Sequence, residues 1–324
     1  MSRLETGKRL PMIMNPAAWY PYRPEPAYVR YLHRLALSFI ALLFCAGENM
    51  VHANDATVIS AAALRAKYAE LGRKLETSSF GKPLYLESSD AAGEVKGNMY
   101  AVLRHPFASV QAELKQPEHW CDVLILHLNT KYCRASAGGA MLKVNIGRKS
   151  DQPIKQSFRV EFAYRVIEAG PDHLAVVLNA DKGPFGTRNY RILLEAVPLK
   201  NGQTFMNLAY SHTYGTTARL GMLAYLGTAG SKKVGFSVIG RDNDGQIKYI
   251  AGLRGLVERN TMRYYLAIEA YLGALSAVPA ARLEKRLVDW YAAVERYPRQ
   301  LHEIGQQDYL EMKRREYLRQ QSEL

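Results

Sequence analysis

The chain is poor in cysteine, with three in 324 residues, and its longest apolar run is shorter than a membrane-spanning helix. Three cysteines exclude a small domain built on disulfides, and a spanning helix needs about 20 apolar residues. The metalloprotease motif HExxH, the hydrolase motif GxSxG, the phosphate-binding P-loop and the redox motif CxxC are also missing. The chain is 48% apolar, 10% aromatic and 23% charged, which excludes a disordered or collagen-like protein and is typical of a globular one.

An apolar run of 13 residues at 35–47 (LALSFIALLFCAG) follows the basic residues Arg30 and Arg34. A small-x-small sequence, Val51-His52-Ala53, comes soon after it. This order is typical of a secretory signal peptide, so we expect cleavage after Ala53 and a periplasmic mature protein. The alternatives are an uncleaved anchor and a buried core helix. The preceding residues 1–30 contain five prolines and no helical or strand period, which predicts a disordered extension.

Cleavage after Ala53 would remove Cys45 and leave Cys121 and Cys133 as an even pair. In an oxidising compartment such a pair is expected to form a disulfide. In the chain-entropy model, closing a loop of about a dozen residues stabilises the fold by roughly 3 kcal/mol. Two separate buried thiols are the alternative. A zinc site is disfavoured, because no second close pair of ligands accompanies the cysteines.

Hydrophobic periodicity predicts a block of antiparallel strands between two helical regions. Between 141 and 214 apolar and polar residues alternate, and turn residues separate the segments at short intervals, which implies antiparallel neighbours. Apolar residues three and four apart over 250–275 predict a long amphipathic helix. Further predicted helices cover 57–76, 107–116, 118–124, 218–228, 280–297 and 299–320, and further predicted strands cover 83–88, 94–103 and 232–239.

This order of elements over 94–275, with the stretch HPFASVQAEL…HWCDVL as a two-helix insertion, resembles the START-like (SRPBCC, helix-grip) superfamily, and an exported bacterial branch of it in particular. The resemblance implies an α+β fold in which a curved antiparallel sheet wraps a long C-terminal helix, with an apolar ligand between them. It divides the chain into an extension plus signal peptide (1–53), a helix-grip domain (54–280) and a helical C-terminal extension (281–324). The helix at 218–228 and the helices after 280 depart from the pattern.

Candidate ligand-binding residues follow from that arrangement. The apolar stripe of the long helix would face the sheet, and polar residues at its edge would meet the polar end of a ligand. Tyrosines on the strands suit the wall of an amphipathic cavity, because the ring packs and the hydroxyl forms hydrogen bonds. The alternative for all of them is ordinary core packing and a salt-bridged helix edge. The candidates are Tyr164, Tyr210, Val257, Asn260, Thr261, Arg263, Tyr264 and Ile268.

The resulting hypothesis is a periplasmic carrier for an apolar or amphipathic, lipid-like small molecule, with no cofactor. The alternatives are an acid–base enzyme on the same fold, cyclase- or hydrolase-like, and an envelope scaffold with a protein partner at 281–324. The net charge of +13 allows contact with an anionic lipid surface, while export disfavours nucleic acid. His105, His119 and His127 do not have the spacing of metal ligands, so no metal site is expected.

Overall fold

The computed structural model describes residues 58–216, 219–222 and 233–322, and all of them belong to one compact unit that begins at Val58. The predicted signal segment with its cleavage site after Ala53, and most of the predicted helix at 218–228, lie outside the described residues. No helix in the described ranges is long and apolar enough to cross a membrane.

Within the described residues, eight strands form one antiparallel sheet in the order β1-β2-β8-β7-β6-β5-β4-β3. Strands β3 to β8 run as a meander, and β8 then pairs with β2, so β1 and β3 are the edges. Register shifts between Val166 and Glu168 and between Arg188 and Arg191 mark bulges, which bend strands and increase their twist. The strands are β1 (Leu84–Ala91), β2 (Glu94–Leu103), β3 (Thr130–Ala135), β4 (Met141–Ile146), β5 (Phe158–Ala169), β6 (Leu174–Lys182), β7 (Thr187–Pro198) and β8 (Thr204–Tyr214).

One face of the sheet, called the outer face below, is covered by helix α1 (Ala61–Glu76). The helix begins at Ser60, whose hydroxyl accepts a hydrogen bond from the Ala63 amide at 3.2 Å. Leu64 and Leu71 of α1 pack against Phe205 of β8 and its neighbours. Because side chains alternate along a strand, the residues next to Phe205 point to the opposite face.

The opposite, inner face packs against helix α4 (Gly252–Gly273), the long helix that the sequence predicts. Its apolar residues, among them Val257, Met262 and Ile268, are fully buried. At β2 the contact is direct, because Gly97 lies against the Thr261 side chain. The chain therefore has the α+β helix-grip fold expected from the sequence: an antiparallel sheet with a long C-terminal helix on one face and further C-terminal helices.

Two short helices, α2 (Phe107–Leu114) and α3 (Pro117–Leu124), cross from β2 towards β3 as predicted. The Trp120 indole N–H donates to the Leu114 carbonyl oxygen at 2.7 Å and joins the two helices. Cys121 and Cys133 form a disulfide, with their Cα atoms 5.1 Å apart. This confirms the predicted pairing and ties α3 to β3.

Three C-terminal helices, α5 (Pro279–Glu295), α6 (Pro298–Leu301) and α7 (Gln306–Gln321), pack onto the same core. Trp290 of α5 stacks on Tyr309 of α7, with ring centroids 5.0 Å apart. The Lys313 ammonium of α7 is fully buried, where it donates to the carbonyl oxygens of His127 and Thr130 at 2.6 and 2.8 Å.

The prediction of a strand over 232–239 is wrong in its bounds. The strand β9 spans Val238–Arg241 and pairs with β10 (Ile247–Tyr249) in a separate hairpin. Before it, the amides of Phe236 and Ser237 donate to the buried Glu258 carboxylate at 2.6 and 2.9 Å. Those bonds hold the backbone against α4 instead of in a strand ladder.

Candidate functional site

A row of five rings lies on the inner face, where β7, β8 and α4 meet the loop between α3 and β3. Adjacent ring centroids are 4.9–5.7 Å apart along the row, close enough for direct aromatic contact. Two of the rings belong to residues that are two positions apart on β8, so strand alternation points both of them to the inner face. The other three rings come from β7, α4 and the loop before β3. The row consists of His127, Tyr264, Tyr210, His212 and Tyr190, and is called the ring row below.

The tyrosine hydroxyls of the ring row have polar partners. The hydroxyls of Tyr190 and Thr187 are 2.8 Å apart, and the nearby Asn260 side chain of α4 favours the ionised form of the Tyr210 hydroxyl, against the larger effect of burial. Burial raises the pKa of Tyr190, Tyr210 and Tyr264 above the usual value for tyrosine, because removing water disfavours the phenolate. The three phenols therefore stay protonated at neutral pH.

The two histidines of the row are buried and neutral. Burial lowers the pKa of His212 to about 4. Burial also lowers the pKa of His127 well below its usual value, and the charges of Arg263 and Lys313 lower it further. Nδ1 of His212 and Nε2 of His127 have no hydrogen-bond partner within the described part of the chain, although most buried polar atoms of folded proteins do.

Tyr264 and Asn260 keep part of their surface accessible, unlike Arg263 and Tyr265 beside them on α4. Burial nevertheless raises the pKa of the Tyr264 hydroxyl. The accessible part of Tyr264 and Asn260 lies beside the ring row and is called the recess below.

The other candidate residues are placed differently. Val257, Thr261 and Ile268 are fully buried in the closed part of the core, and the Thr261 hydroxyl donates to the Val257 carbonyl oxygen at 2.8 Å. Tyr164 is buried on β5 and donates to the Leu114 carbonyl oxygen at 3.3 Å. Of the predicted ligand-binding residues, only Tyr210, Asn260 and Tyr264 meet at the ring row.

Arg263 is buried with its guanidinium towards the loop that follows α6. It donates to a Glu303 carboxylate oxygen at 2.7 Å and to the Leu301 carbonyl oxygen at 3.2 Å. The same carboxylate binds Lys149 at 2.6 Å and lies 3.7 Å from Lys233. Arg263 thus fixes the C-terminal loop to α4, while its charge acts on neighbouring His127 and Tyr264.

His127, Tyr190 and His212 are the members of the ring row outside the list of eight candidate residues. His212 and Tyr190 lie on inward positions of predicted strands, and that pattern already makes both of them weaker candidates for the cavity wall. His127 stands in a loop between a helix and a strand and carries no periodic signal. Its place beside Tyr264 depends on the tertiary fold alone.

Two hollows in the described part of the chain lie away from the ring row. A surface cleft of about 310 Å³ runs along the edge strand β1, lined by Lys74, Phe80, Tyr85 and Phe236 among others. A void of about 10 Å³ between α5 and the loop after α6 is too small for more than a water molecule. Among the described residues, no group of three or more His, Cys, Asp and Glu side chains could hold a metal ion.

No protein-family profile and no curated protein matches the chain. Solved structures that resemble it include norcoclaurine synthase from Thalictrum flavum, at 13% identity over 44% of this chain and 96% of that one, with a TM-score of 0.30. The human StAR-related lipid transfer protein 5 is 10% identical over 53% of this chain and 91% of that one, with a TM-score of 0.25. A conserved protein of unknown function from Enterococcus faecalis is 6% identical over 76% and 95% of the two chains, with a TM-score of 0.28. Likenesses of this size assign neither ligand nor activity, and the helix-grip description depends on the topology of this chain.

Proposed function

We propose that the protein binds an amphipathic small molecule in the recess beside the ring row and acts as its carrier. The observation that carries this proposal is the accessible surface that Tyr264 and Asn260 keep beside the buried rings of the inner face. The Tyr264 ring, which packs against the buried Tyr210, offers apolar area to a hydrocarbon or aromatic body. The Asn260 amide lies beside them and offers a hydrogen bond to a polar end.

The charge states in the ring row favour binding over acid–base catalysis. A general acid or base works best when its pKa lies near the working pH. The two histidines are neutral because burial lowers their pKa values, and the three tyrosines are neutral because burial raises theirs. A row of neutral rings with polar margins suits reversible binding of a ligand, so the enzyme alternative has less support.

The predicted export is part of the proposal. A disulfide between Cys121 and Cys133 suits an oxidising compartment such as the periplasm. Sequencing the N-terminus of protein purified from the periplasm should give Asn54 as the first residue. An intact N-terminus in cytoplasmic protein would argue against export. Contact with an anionic lipid surface would place a lipid carrier beside its source, and the support for it is the excess of 37 Lys and Arg over 27 Asp and Glu that remains after cleavage.

The C-terminal helices use most of their apolar side chains within the chain, as Leu287, Trp290 and Met312 illustrate. Exposed apolar residues in this region include Val288 and Leu318. This gives a protein partner at 281–324 little apolar area to bind. The scaffold alternative therefore has less support than a carrier.

The test is displacement of an environment-sensitive apolar dye, with Tyr264→Ala as the site variant and Tyr85→Ala as the control. Tyr85 lines the surface cleft, so the pair distinguishes the recess from the cleft. We expect wild-type protein to bind the dye, Tyr264→Ala to weaken binding by about tenfold, equivalent to about 1.4 kcal/mol, and Tyr85→Ala to leave it unchanged. Equal loss in both variants, or loss in Tyr85→Ala alone, would place binding outside the recess.

A further inference from the structure

Phe185 lies in the turn between β6 and β7 and is 86% exposed, whereas Phe162, Phe205 and Phe236 are buried in the core. A ring left in water forgoes the free energy that burial of its apolar area would give. A single exposed apolar residue is common on protein surfaces. The backbone and the charges around Phe185 therefore decide whether its exposure has a role.

The backbone at Phe185 is held in a conformation that bulky residues avoid. Its φ of 58° and ψ of 26° lie in the left-handed region, where a side chain meets steric hindrance and glycine does not. Glycine occupies the next position, Gly186, with a φ of 78°. Phenylalanine at position 185 is thus less favourable for the turn than glycine would be. Backbone strain of this kind is concentrated at functional sites.

The turn is fixed to the fold through Tyr190, the end member of the ring row. The Thr187 hydroxyl donates to the Pro184 carbonyl oxygen at 2.5 Å and lies 2.8 Å from the Tyr190 hydroxyl. The Gly183 amide donates to the Thr187 carbonyl oxygen at 2.8 Å. Gly183 also packs so closely on the Tyr190 ring that a side chain there would overlap it. The exposed Phe185 ring therefore has a rigid support next to the ring row.

Two basic residues flank the turn. Lys182 and Arg188 are opposite each other in the register of β6 and β7, and both are exposed. Like charges in directly opposite positions destabilise a pair of strands. Asp181 is the one carboxylate in residues 181–189, so this end of the hairpin carries a net positive charge. An apolar ring beside a basic pair matches the boundary of an anionic bilayer, where rings enter among the headgroups and basic side chains contact phosphates.

The neighbouring strand β8 ends beside this turn, since Tyr214 is the register partner of Thr187. The Arg219 amide donates to the Gly215 carbonyl oxygen at 2.9 Å, which forms a helical turn directly after the strand. Leu220 in this turn is 64% exposed. The turn between β7 and β8, at the opposite end of the sheet, exposes lysine, asparagine and glycine instead. Exposed apolar and basic residues thus meet at one end of the sheet.

We infer that the β6–β7 hairpin docks the protein on an anionic lipid surface, with the Phe185 ring among the headgroups and Lys182 and Arg188 on lipid phosphates. This inference rests on the proposed function and assigns the lipid contact to a particular surface of the fold. Because the turn is fixed on Tyr190, docking through it brings the ring row up to the lipid.

The first test separates the Phe185 ring from the stability of the turn. Phe185→Gly removes the ring and relieves the left-handed backbone, so its midpoint of urea unfolding should equal or exceed that of wild type. Its binding to vesicles of mixed phosphatidylglycerol and phosphatidylcholine, measured by cosedimentation, should be about fivefold weaker. The control Leu318→Ala shortens a side chain of α7 that is 68% exposed and should bind as wild type does.

The second test concerns the basic pair. The double variant Lys182→Gln with Arg188→Gln should bind the anionic vesicles about tenfold more weakly and respond less to added salt. The control Lys115→Gln with Lys200→Gln removes the same charge from two other exposed positions and should bind nearly as wild type does. Vesicles of phosphatidylcholine alone should bind all of these proteins weakly.

The outcomes separate the docking surface from the proposed function. If wild type binds neither kind of vesicle, the lipid contact fails and this inference with it, whereas dye displacement decides separately on the recess. If the site variants bind the anionic vesicles as wild type does, the lipid contact stands and the hairpin does not make it. If binding depends on the basic pair and not on Phe185, or if wild type binds dextran sulfate and no vesicles, charge alone attracts an acidic polymer and the docking of the ring is wrong.

Discussion

Gly97 of β2 and Thr261 of α4 lie in direct contact across the inner face of the sheet. A methyl group at Gly97 would overlap the Thr261 hydroxyl oxygen and lie 3.3 Å from the Thr261 Cβ. The helix therefore packs on the bare backbone of the strand at this point, and the spacing between sheet and helix depends on the missing side chain. Tyr210, the partner of Gly97 on β8, instead packs its ring against Tyr264 of α4, with centroids 5.4 Å apart.

Replacing Gly97 with alanine should destabilise the fold, because the added methyl group must push α4 away from β2. Overpacking a core of this kind costs about 1–3 kcal/mol, and urea unfolding would measure it. The double variant Gly97→Ala with Thr261→Ala removes the overlapping hydroxyl and should recover most of the loss. The control Gly138→Ala has open space around the added methyl group. Additive effects of the two substitutions would contradict the contact.

Removing the disulfide should lower stability without changing the fold. The variant with both Cys121→Ala and Cys133→Ala loses a cross-link over 12 residues, worth about 3 kcal/mol in the chain-entropy model. Urea unfolding of oxidised wild type, reduced wild type and the double variant would measure the loss. Reduced wild type and the variant should agree closely. Two titratable thiols in denatured, unreduced periplasmic protein would show that the bond does not form.

Acid should destabilise the protein through His212. Burial lowers the pKa of the folded ring to about 4, against about 6.5 in an unfolded chain. Below pH 6.5 the unfolded chain takes up a proton that the folded ring refuses, so stability falls with pH down to about 4. The loss from this group amounts to about 3 kcal/mol.

The variant His212→Phe keeps a ring against Tyr190 and cannot take up the proton. Its free energy of unfolding should therefore fall less than that of wild type between pH 6.5 and 4. Parallel curves for wild type and His212→Phe would mean that the folded imidazole titrates normally.

The sequence predicted what depends on local pattern. Alternation identified β5 to β8, three- and four-residue spacing identified α4, and the cysteine count with the export signal identified the disulfide. Contacts between residues distant in the chain carry no such signal. Arg263 has the same helical position whether it meets a ligand or Glu303, and only the course of the loop after α6 decides between them. In the same way, Val257 and Tyr264 belong to one apolar stripe of α4. Val257 is buried where the helix packs on the backbone of β2 at Gly97, whereas Tyr264 borders the recess.

The region around Lys313 should make the protein more stable as the pH rises above neutral. Burial lowers the pKa of this lysine to about 8 in the folded state, although the nearby Glu316 carboxylate opposes the shift. An unfolded lysine has a pKa of about 10.4. Between these values the unfolded chain binds the additional proton, so the free energy of unfolding increases with pH, by about 2 kcal/mol from pH 8 to 9.5.

The variant Lys313→Met should remove most of that increase in stability. It leaves the Glu316 carboxylate paired with Lys131 at 3.0 Å. The control Lys115→Met changes an exposed lysine and should retain the increase. Urea unfolding at several pH values between 7 and 9.5 would measure the slopes, and an equally steep rise in Lys313→Met would mean that another group is responsible.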